Sequence, residues 1–501
     1  MTNKKQILCG ILACTTALSM AGCGEKKQTD SGNGDITIKW VVPGPGKQTD
    51  SAEVWQKANE LLKTYEGMEN VSIDLDVIPA SDYKQKVMLM QTSGNDVDIF
   101  GTYTLDFNEE VKNGTFLDIT DMMKTYAPDV LNEMPEWALQ LMQVDGKQYC
   151  ITNYQQMSEP MWGYTFDKDD ADEFLDAEAL KKEALSSDIL TKGTLDIFEK
   201  YMADLKSAGK LHLGMRPGST WAMKGYVPIV SNYLYRAEAD KIVVEERLEL
   251  DSLKMLTEVF HDWFKKGYIR KDVLSAEVSK GDYDIWHSQY HKYAEESLSK
   301  TEDEPVTLVQ SENHFYIPTS ANAGGNGITA TSKNPEKALS FLNLMCSSKG
   351  KDLYRMLVYG IEDKNYKKLS EDRIEPIGYT GSQGTADAPY GLWKWTMGNT
   401  ANSFESTSDP EGWNDYVFND WNKNAVPSPI AGIYIDTAPI ETELSQCDSV
   451  CQEFIDQLTS GAMTDWKATY EEAMRKLEIA GNKKVKEYIQ KCVDDFLATK
   501  K

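Results

Sequence analysis

Positive charge is scarce in this chain: 53 Lys and Arg stand against 79 Asp and Glu, a net charge of −26 at pH 7. Such a field repels nucleic acid and anionic headgroups, and the sequence offers neither a basic stripe nor a zinc-finger spacing. No nucleic-acid role is expected. Cysteine is sparse too. Cys9, Cys14 and Cys23 lie near the N-terminus, which leaves Cys150, Cys346, Cys447, Cys451 and Cys492 for the body. Five thiols exclude a dense disulfide framework. Cys447 and Cys451 stand four apart on an expected helix, a placement that disfavours a bridge. They read as small buried apolar residues, with pairing of either to Cys492 as the alternative.

Catalytic signatures are missing as well. With five histidines no Ser-His-Asp set stands out, and there is no Gly-x-Ser-x-Gly elbow. His287 and His291, in "WHSQYHKYAEE", would present two imidazoles on one helix face, with Glu295 or Glu296 near. The zinc-peptidase form needs glutamate directly after the first histidine, and Ser288 stands there. No catalytic residue, metal or cofactor is expected. The "GPGKQT" turn is not a phosphate loop either, because the glycine and the hydroxyl that such a loop requires are replaced by Val41 and Gln48.

What is present begins with an export signal. "MTNKK" is a short basic region, "QILCGILACTTALSMAG" is an apolar run rich in small residues, and Met20-Ala21-Gly22 precede Cys23. This is the order of a lipobox, in which the Cys23 thiol receives a diacylglycerol before residues 1–22 are removed. Residues 23–35 are polar and bear Gly and Ser, the composition of a flexible tether. No later run is apolar and long enough to suggest a membrane-spanning helix. The remainder is too long for one compact core and predicts two or three lobes.

Within that body, "DITIKWVV" alternates as a strand does, and Asp50 or Ser51 is placed to cap a helix over about 51–66. "VSIDLDVIP" and "DVDIF" repeat the alternation of strand and helix. The pattern predicts an α/β fold with a largely parallel sheet and ligands at the carboxyl ends of its strands. The tail beyond about 370 is rich in Trp and Tyr and then carries three amphipathic helical patterns at 439–460, 465–480 and 482–499.

Several stretches fall in a familiar order: the lipobox, "ITIKWVV", "DVDIFGTYT" with "NGTFLDIT" downstream, "DGKQYCI" before "WGYTFDKD", then "GITATSKNPEKALSFLN" and "LVYGIEDKNYKKL". In this order the chain resembles the extracellular solute-binding proteins of bacterial sugar-importing ABC transporters, the broad family that includes maltose-binding protein. The tail, with "WTMGNTANSF" and "SPIAGIYID", resembles the extra C-terminal domain of a Gram-positive lipoprotein subgroup. The resemblance implies the two-lobed type II binding-protein fold. It places an N-terminal lobe at 36–150 and 287–350, and a C-terminal lobe at 151–286 and 351–501 with the subgroup region at about 375–501. Chain crossings are implied near Cys150–Tyr154 and Asp284–Trp286. It further implies no enzymatic step, a monomer held at the outer face of the cell membrane by its lipid, and a carbohydrate ligand passed to the transmembrane subunits of a permease. A glycan-hydrolysing or glycan-binding surface lipoprotein and a binder of a non-sugar solute such as a peptide are the alternatives.

A sugar cleft needs flat rings for C–H faces and planar polar side chains for paired hydroxyls. The ligand-binding candidates are therefore Tyr103, Trp286 and Trp395 for stacking, with Asn399 beside the last. Arg216 and Trp221 in "MRPGSTWAM", and Tyr154 and Gln155 after the first crossing, complete the aromatic and polar set. Lys47 in "PGPGKQTD" is a candidate donor to a hydroxyl or a uronate carboxylate. Trp55, Trp137, Trp263 and Trp466 sit in helical repeats and read as packing residues.

Overall fold

Strand Ile36–Gly44 buries Ile38, Trp40 and Val42 on one face and Val41 on the other, so its sheet needs cover on both sides. Helix Ser51–Leu62 supplies the first cover through Val54, Ala58 and Leu62, at helical spacing, and helix Ala80–Ser93 supplies the second through Tyr83 and Val87. Neither Asp50 nor Ser51 caps the first helix in the expected way. The Ser51 hydroxyl accepts the Gln48 N–H, and the Asp50 carboxylate is taken by Lys364 and Asn365.

The protein is described here from a computed structural model covering residues 34–500, apart from 95, 159–160, 276–281, 303, 319–323 and 382. The export signal at 1–22, Cys23 and the tether up to residue 33 lie outside the described residues. Among the described residues no helix is long and apolar enough to cross a membrane.

The first-lobe sheet runs Val71–Pro79, Ile36–Gly44, Ile99–Gly101, Gly325–Ile328, Cys150–Thr152. The first three strands are parallel, as the alternation with helices predicts, and Gly325–Ile328 is antiparallel to both of its neighbours. The second lobe is built on a different plan. Strand Met161–Asp167 lies between Trp286–Tyr290 and Val306–Gln310, antiparallel to each. Helices Lys192–Ala208 and Asp251–Lys266 bury Phe198, Tyr201, Phe260 and Trp263 in the core of that lobe. The fold is thus the expected two-lobed α/β type.

The division of the chain between the lobes differs from the expected bounds. Trp286–Tyr290 and Val306–Gln310 pair with Met161–Asp167 and so belong to the second lobe, because that strand is completed by partners supplied much later in the chain. The chain therefore leaves the second-lobe sheet after Gln310, through Tyr316–Ile317, and not near Asp284–Trp286. Asp284 instead accepts the N–H groups of His212, Leu213 and Gly214 within the second lobe. Helix Lys351–Tyr359 packs Leu353, Tyr354, Leu357 and Val358 into the first core, and Tyr390, Met397 and Phe404 follow it there. The tail joins the second core from Ile430 onward, with Ile440 and then helices Glu441–Ser460, Trp466–Ile479 and Asn482–Thr499 through Phe454, Leu458, Leu477, Ile489 and Val493.

A third crossing results. Val426–Pro427 pairs in parallel with Tyr316–Ile317, joining the second and third crossings into a two-stranded ribbon. Asn422 ties the first crossing to the third by accepting the Met157 N–H at 3.0 Å and donating to the Gln155 carbonyl. The segment Val417–Trp421 just before it is a π-turn, a distortion that recurs at functional sites.

Candidate functional site

Two cavities lie beside these crossings and share His291 and Ser297 as lining residues. The smaller, about 310 Å³, is lined from the first lobe by Lys394, Trp395 and Thr400, from the crossing by Gln155 and Gln156, and from the π-turn region by Trp413 and Phe418. The larger, about 800 Å³, runs over the second lobe past Trp162, His287, Gln289 and the loop at Arg216–Trp221. Ile455, Asp456 and Thr459 of the first C-terminal helix complete its wall.

On the first-lobe side the rings form a ledge. Trp393 and Trp395 are stacked at 5.1 Å, and Tyr103 meets Trp395 edge-on at 4.6 Å. Gln383 holds the ledge by accepting the Trp395 indole N–H at 2.7 Å. The loop that carries it is seated by the opening turn. Gln48, buried, donates to the carbonyls of Thr385 and Gly391 and accepts the Gly391 N–H at 3.0 Å. Thr396 adds a bond to the Pro43 carbonyl. Lys47 next to Gln48 is exposed and lines neither cavity.

On the second-lobe side His287 lies between Trp162 at 5.6 Å and Trp221 at 3.6 Å, and Tyr164 continues the stack behind Trp221. Trp162 and His287 are half-buried, whereas Trp221 is only 2 % exposed and supports them from beneath. The Trp221 indole donates to the Arg216 carbonyl, which closes that loop and turns the Arg216 side chain outward. His291 stacks on Trp421 at 5.5 Å, and burial lowers its pKa to about 4. It is neutral at physiological pH, and its Nδ1 accepts the Tyr293 N–H, which leaves Nε2 as the donor.

Of the sequence candidates, Gln155, Trp395, Arg216 and Trp221 line this cleft, and Tyr103 adjoins it through its contact with Trp395 while lining a neighbouring cavity. Tyr154, Trp286 and Asn399 have other surroundings. Tyr154 packs between Trp137 and Phe418 in the first core. Asn399 caps the turn Thr400–Asn402 and donates to the Cys346 carbonyl. Trp286 is fully covered on the opposite sheet face from His287, where it lines a separate acidic cavity with Tyr201. Sequence reading passed over Trp162, Trp393 and Gln383, and weighed His287 only as a metal ligand. The signal for two of them was the period of two in "MWGYTFD" and "WHSQY", which sets Trp162 and His287 on one face.

The histidine pair does not form the helical face considered for zinc. His287 lies in a strand, His291 lies beyond its end, and Glu295 accepts the Leu308 N–H. The described residues contain no His, Cys, Asp or Glu group arranged to hold a metal ion. All five body cysteines are free thiols, and Cys447 and Cys451 are buried.

Residues 429–498 match a domain of unknown function, DUF3502. The whole chain aligns with a curated protein of Streptococcus pneumoniae serotype 4, a "carbohydrate ABC transporter substrate-binding protein". The two are 22 % identical, with 99 % of each covered. The fold matches the crystal structure of the N-glycan transport solute-binding protein NgtS from the same species, with TM-score 0.71 at 20 % identity over 93 % of this chain and all of that one. The Man5GlcNAc complex of NgtS matches less closely, at 0.54. A Bifidobacterium longum infantis solute-binding protein, described as binding human milk oligosaccharides (HMO), matches at 0.59, 14 % identical over 92 % of this chain and 99 % of that one. Along its whole length the chain is thus similar to a substrate-binding protein of an ABC transporter, and it shares the two-lobed fold of solved solute-binding proteins.

Proposed function

We propose that the protein captures an oligosaccharide between its lobes and delivers it to a membrane permease. The observation that carries this reading is the pair of aromatic surfaces at one cleft, Tyr103–Trp395–Trp393 from one lobe and Trp162–His287 from the other. Amide and hydroxyl groups of Gln155, Gln156, Asn414 and Ser297 lie between them. Rings bury the apolar faces of sugars and planar amides pair with their hydroxyls. The volumes of the two cavities, about 310 and 800 Å³, suit several sugar units better than one. Capture makes and breaks no covalent bond. Closure follows from the differential affinity of ligand for the closed arrangement.

In this reading Tyr103, Gln155, Arg216, Trp221 and Trp395 contribute to the site, and Cys23 carries the lipid that keeps a single copy at the outer membrane face. One lipid-modified residue restricts diffusion and leaves recognition to the permease contact. The test is calorimetric titration of the fragment from Gly24 onward with a panel of neutral and acidic oligosaccharides, with the products checked for cleavage. Binding of at least one intact sugar is expected, weakened by Trp395→Ala by about 2 kcal/mol, roughly thirtyfold in Kd. Silence toward all sugars, or their cleavage, rejects the reading.

A further inference from the structure

The chain has seven arginines. Five pair with carboxylates: Arg236 with Asp188, Arg270 with Asp272, Arg355 with Asp372, Arg373 with Glu405 and Arg475 with Glu472. The two that make no ion pair among the described residues, Arg216 and Arg247, line the same 800 Å³ cavity. In a chain of net charge −26, carboxylate partners are plentiful, so the pairing of the other five is unremarkable and the isolation of these two is not.

Local structure keeps both guanidinium groups uncompensated. The Arg216 backbone is engaged on both sides, its N–H by the Ile285 carbonyl and its carbonyl by the Trp221 indole, while the side chain is exposed in the cavity wall. Arg247 opens the short turn Arg247–Glu249 and its N–H donates to the Asn232 carbonyl, yet its buried Nε has no hydrogen-bond partner. The adjacent Glu246 turns one oxygen to the Leu248 N–H, and burial raises its pKa to about 8, so at neutral pH it offers Arg247 little charge. Asp456 is the single carboxylate residue among those lining the cavity.

A buried donor without a partner costs free energy until a ligand satisfies it, and the guanidinium fork matches a planar carboxylate. The overall negative field works against an anionic ligand, so local cations would be needed to hold one. We infer that the cleft is built for a carboxylate-bearing oligosaccharide, whose acid group is held by Arg216 and Arg247 while its rings stack on Trp162 and His287. This rests on the carbohydrate reading above. A sialic acid and a hexuronic acid both present the required group.

Two matched pairs test the inference by titration calorimetry: sialyllactose against lactose, and trigalacturonate against its carboxyl-reduced form. In at least one pair the acidic member should bind tenfold or more tighter than its neutral partner, and the pair that responds identifies the kind of acid. Arg216→Gln should lower that ratio about tenfold, Arg216→Lys should restore part of it, and rising salt should shrink it. Arg247→Gln provides a second, independent position. Neutral members binding as well as acidic ones would overturn this inference and leave the carbohydrate reading standing. A loss in Arg216→Gln that falls equally on both members of a pair would mark a merely structural arginine and overturn it too. Binding of no sugar at all would overturn both.

Discussion

At the scale of single residues, neighbours in the chain have unlike roles. Gln48 is buried and makes three bonds to the loop that bears Trp395, whereas Lys47 points to solvent. Gln48→Ala should destabilise by about 1–3 kcal/mol, because buried carbonyls and an N–H lose their partner, and should weaken ligand binding with it. Lys47→Ala should stay within about 0.5 kcal/mol. Urea unfolding of both variants checks this, and equal effects would contradict it. The turn was read as ligand-facing, whereas in the structure it seats the loop that bears Trp395; Gln48 was not singled out, because a glutamine's partners cannot be read from local pattern. Glu246 adds a pH dependence. Desolvation raises its pKa to about 8; Glu249 and Asp448 push the same way, while the Leu248 N–H and Arg247 oppose them. The folded protein therefore holds a proton that the unfolded chain releases near 4.5. This contribution is full below about 4.5 and is lost as pH rises through 8, at up to about 1.4 kcal/mol per pH unit. Glu246→Gln should flatten that descent and unfold at higher urea than wild type at pH 8; parallel curves from pH 5 to 8 would refute it.

At the scale of elements, the three C-terminal helices were nearly complete in the sequence, expected at 439–460, 465–480 and 482–499 and found at Glu441–Ser460, Trp466–Ile479 and Asn482–Thr499. Amphipathic period and end signals are local. Asp465 caps the second helix through the N–H groups of Lys467 and Ala468, and Gly461 ends the first at a positive φ of 71°. A Cβ at Gly461 would lie 2.2 Å from the Phe260 carbonyl oxygen, so this glycine also sets how closely the helix pair approaches Asp251–Lys266. Gly461→Ala should cost more than about 1 kcal/mol, through both the backbone conformation and the displaced helix, and should disturb the cavity wall at Asp456 and Thr459. A thermal midpoint unchanged from wild type would contradict that account. The strand holding His287 was misjudged in the opposite direction. "WHSQYHKY" has helical histidine spacing, and only the ladder with Met161–Asp167 makes it extended.

At the scale of the molecule, three crossings join two lobes with separate cores, and the aromatic surfaces lie beside those crossings. The proposed capture requires the lobes to close on the ligand. Saturating ligand should accordingly lower the radius of gyration measured by X-ray scattering, and an identical profile with and without bound sugar would argue for a static cleft. Composition, strand and helix periodicity and the order of short stretches along the chain were enough for the fold class and the binding role. These depend on signals within a few residues or on their sequence order. The assignment of 286–310 to the second lobe and of 351–404 to the first came only from tertiary structure. So did the burial of Trp286, the pairing of Trp162 with His287, and the placing of Arg216 and Arg247 in the wall of one cavity. Each depends on which distant strand or helix completes a ladder or covers a face, a contact between residues that the chain itself keeps far apart.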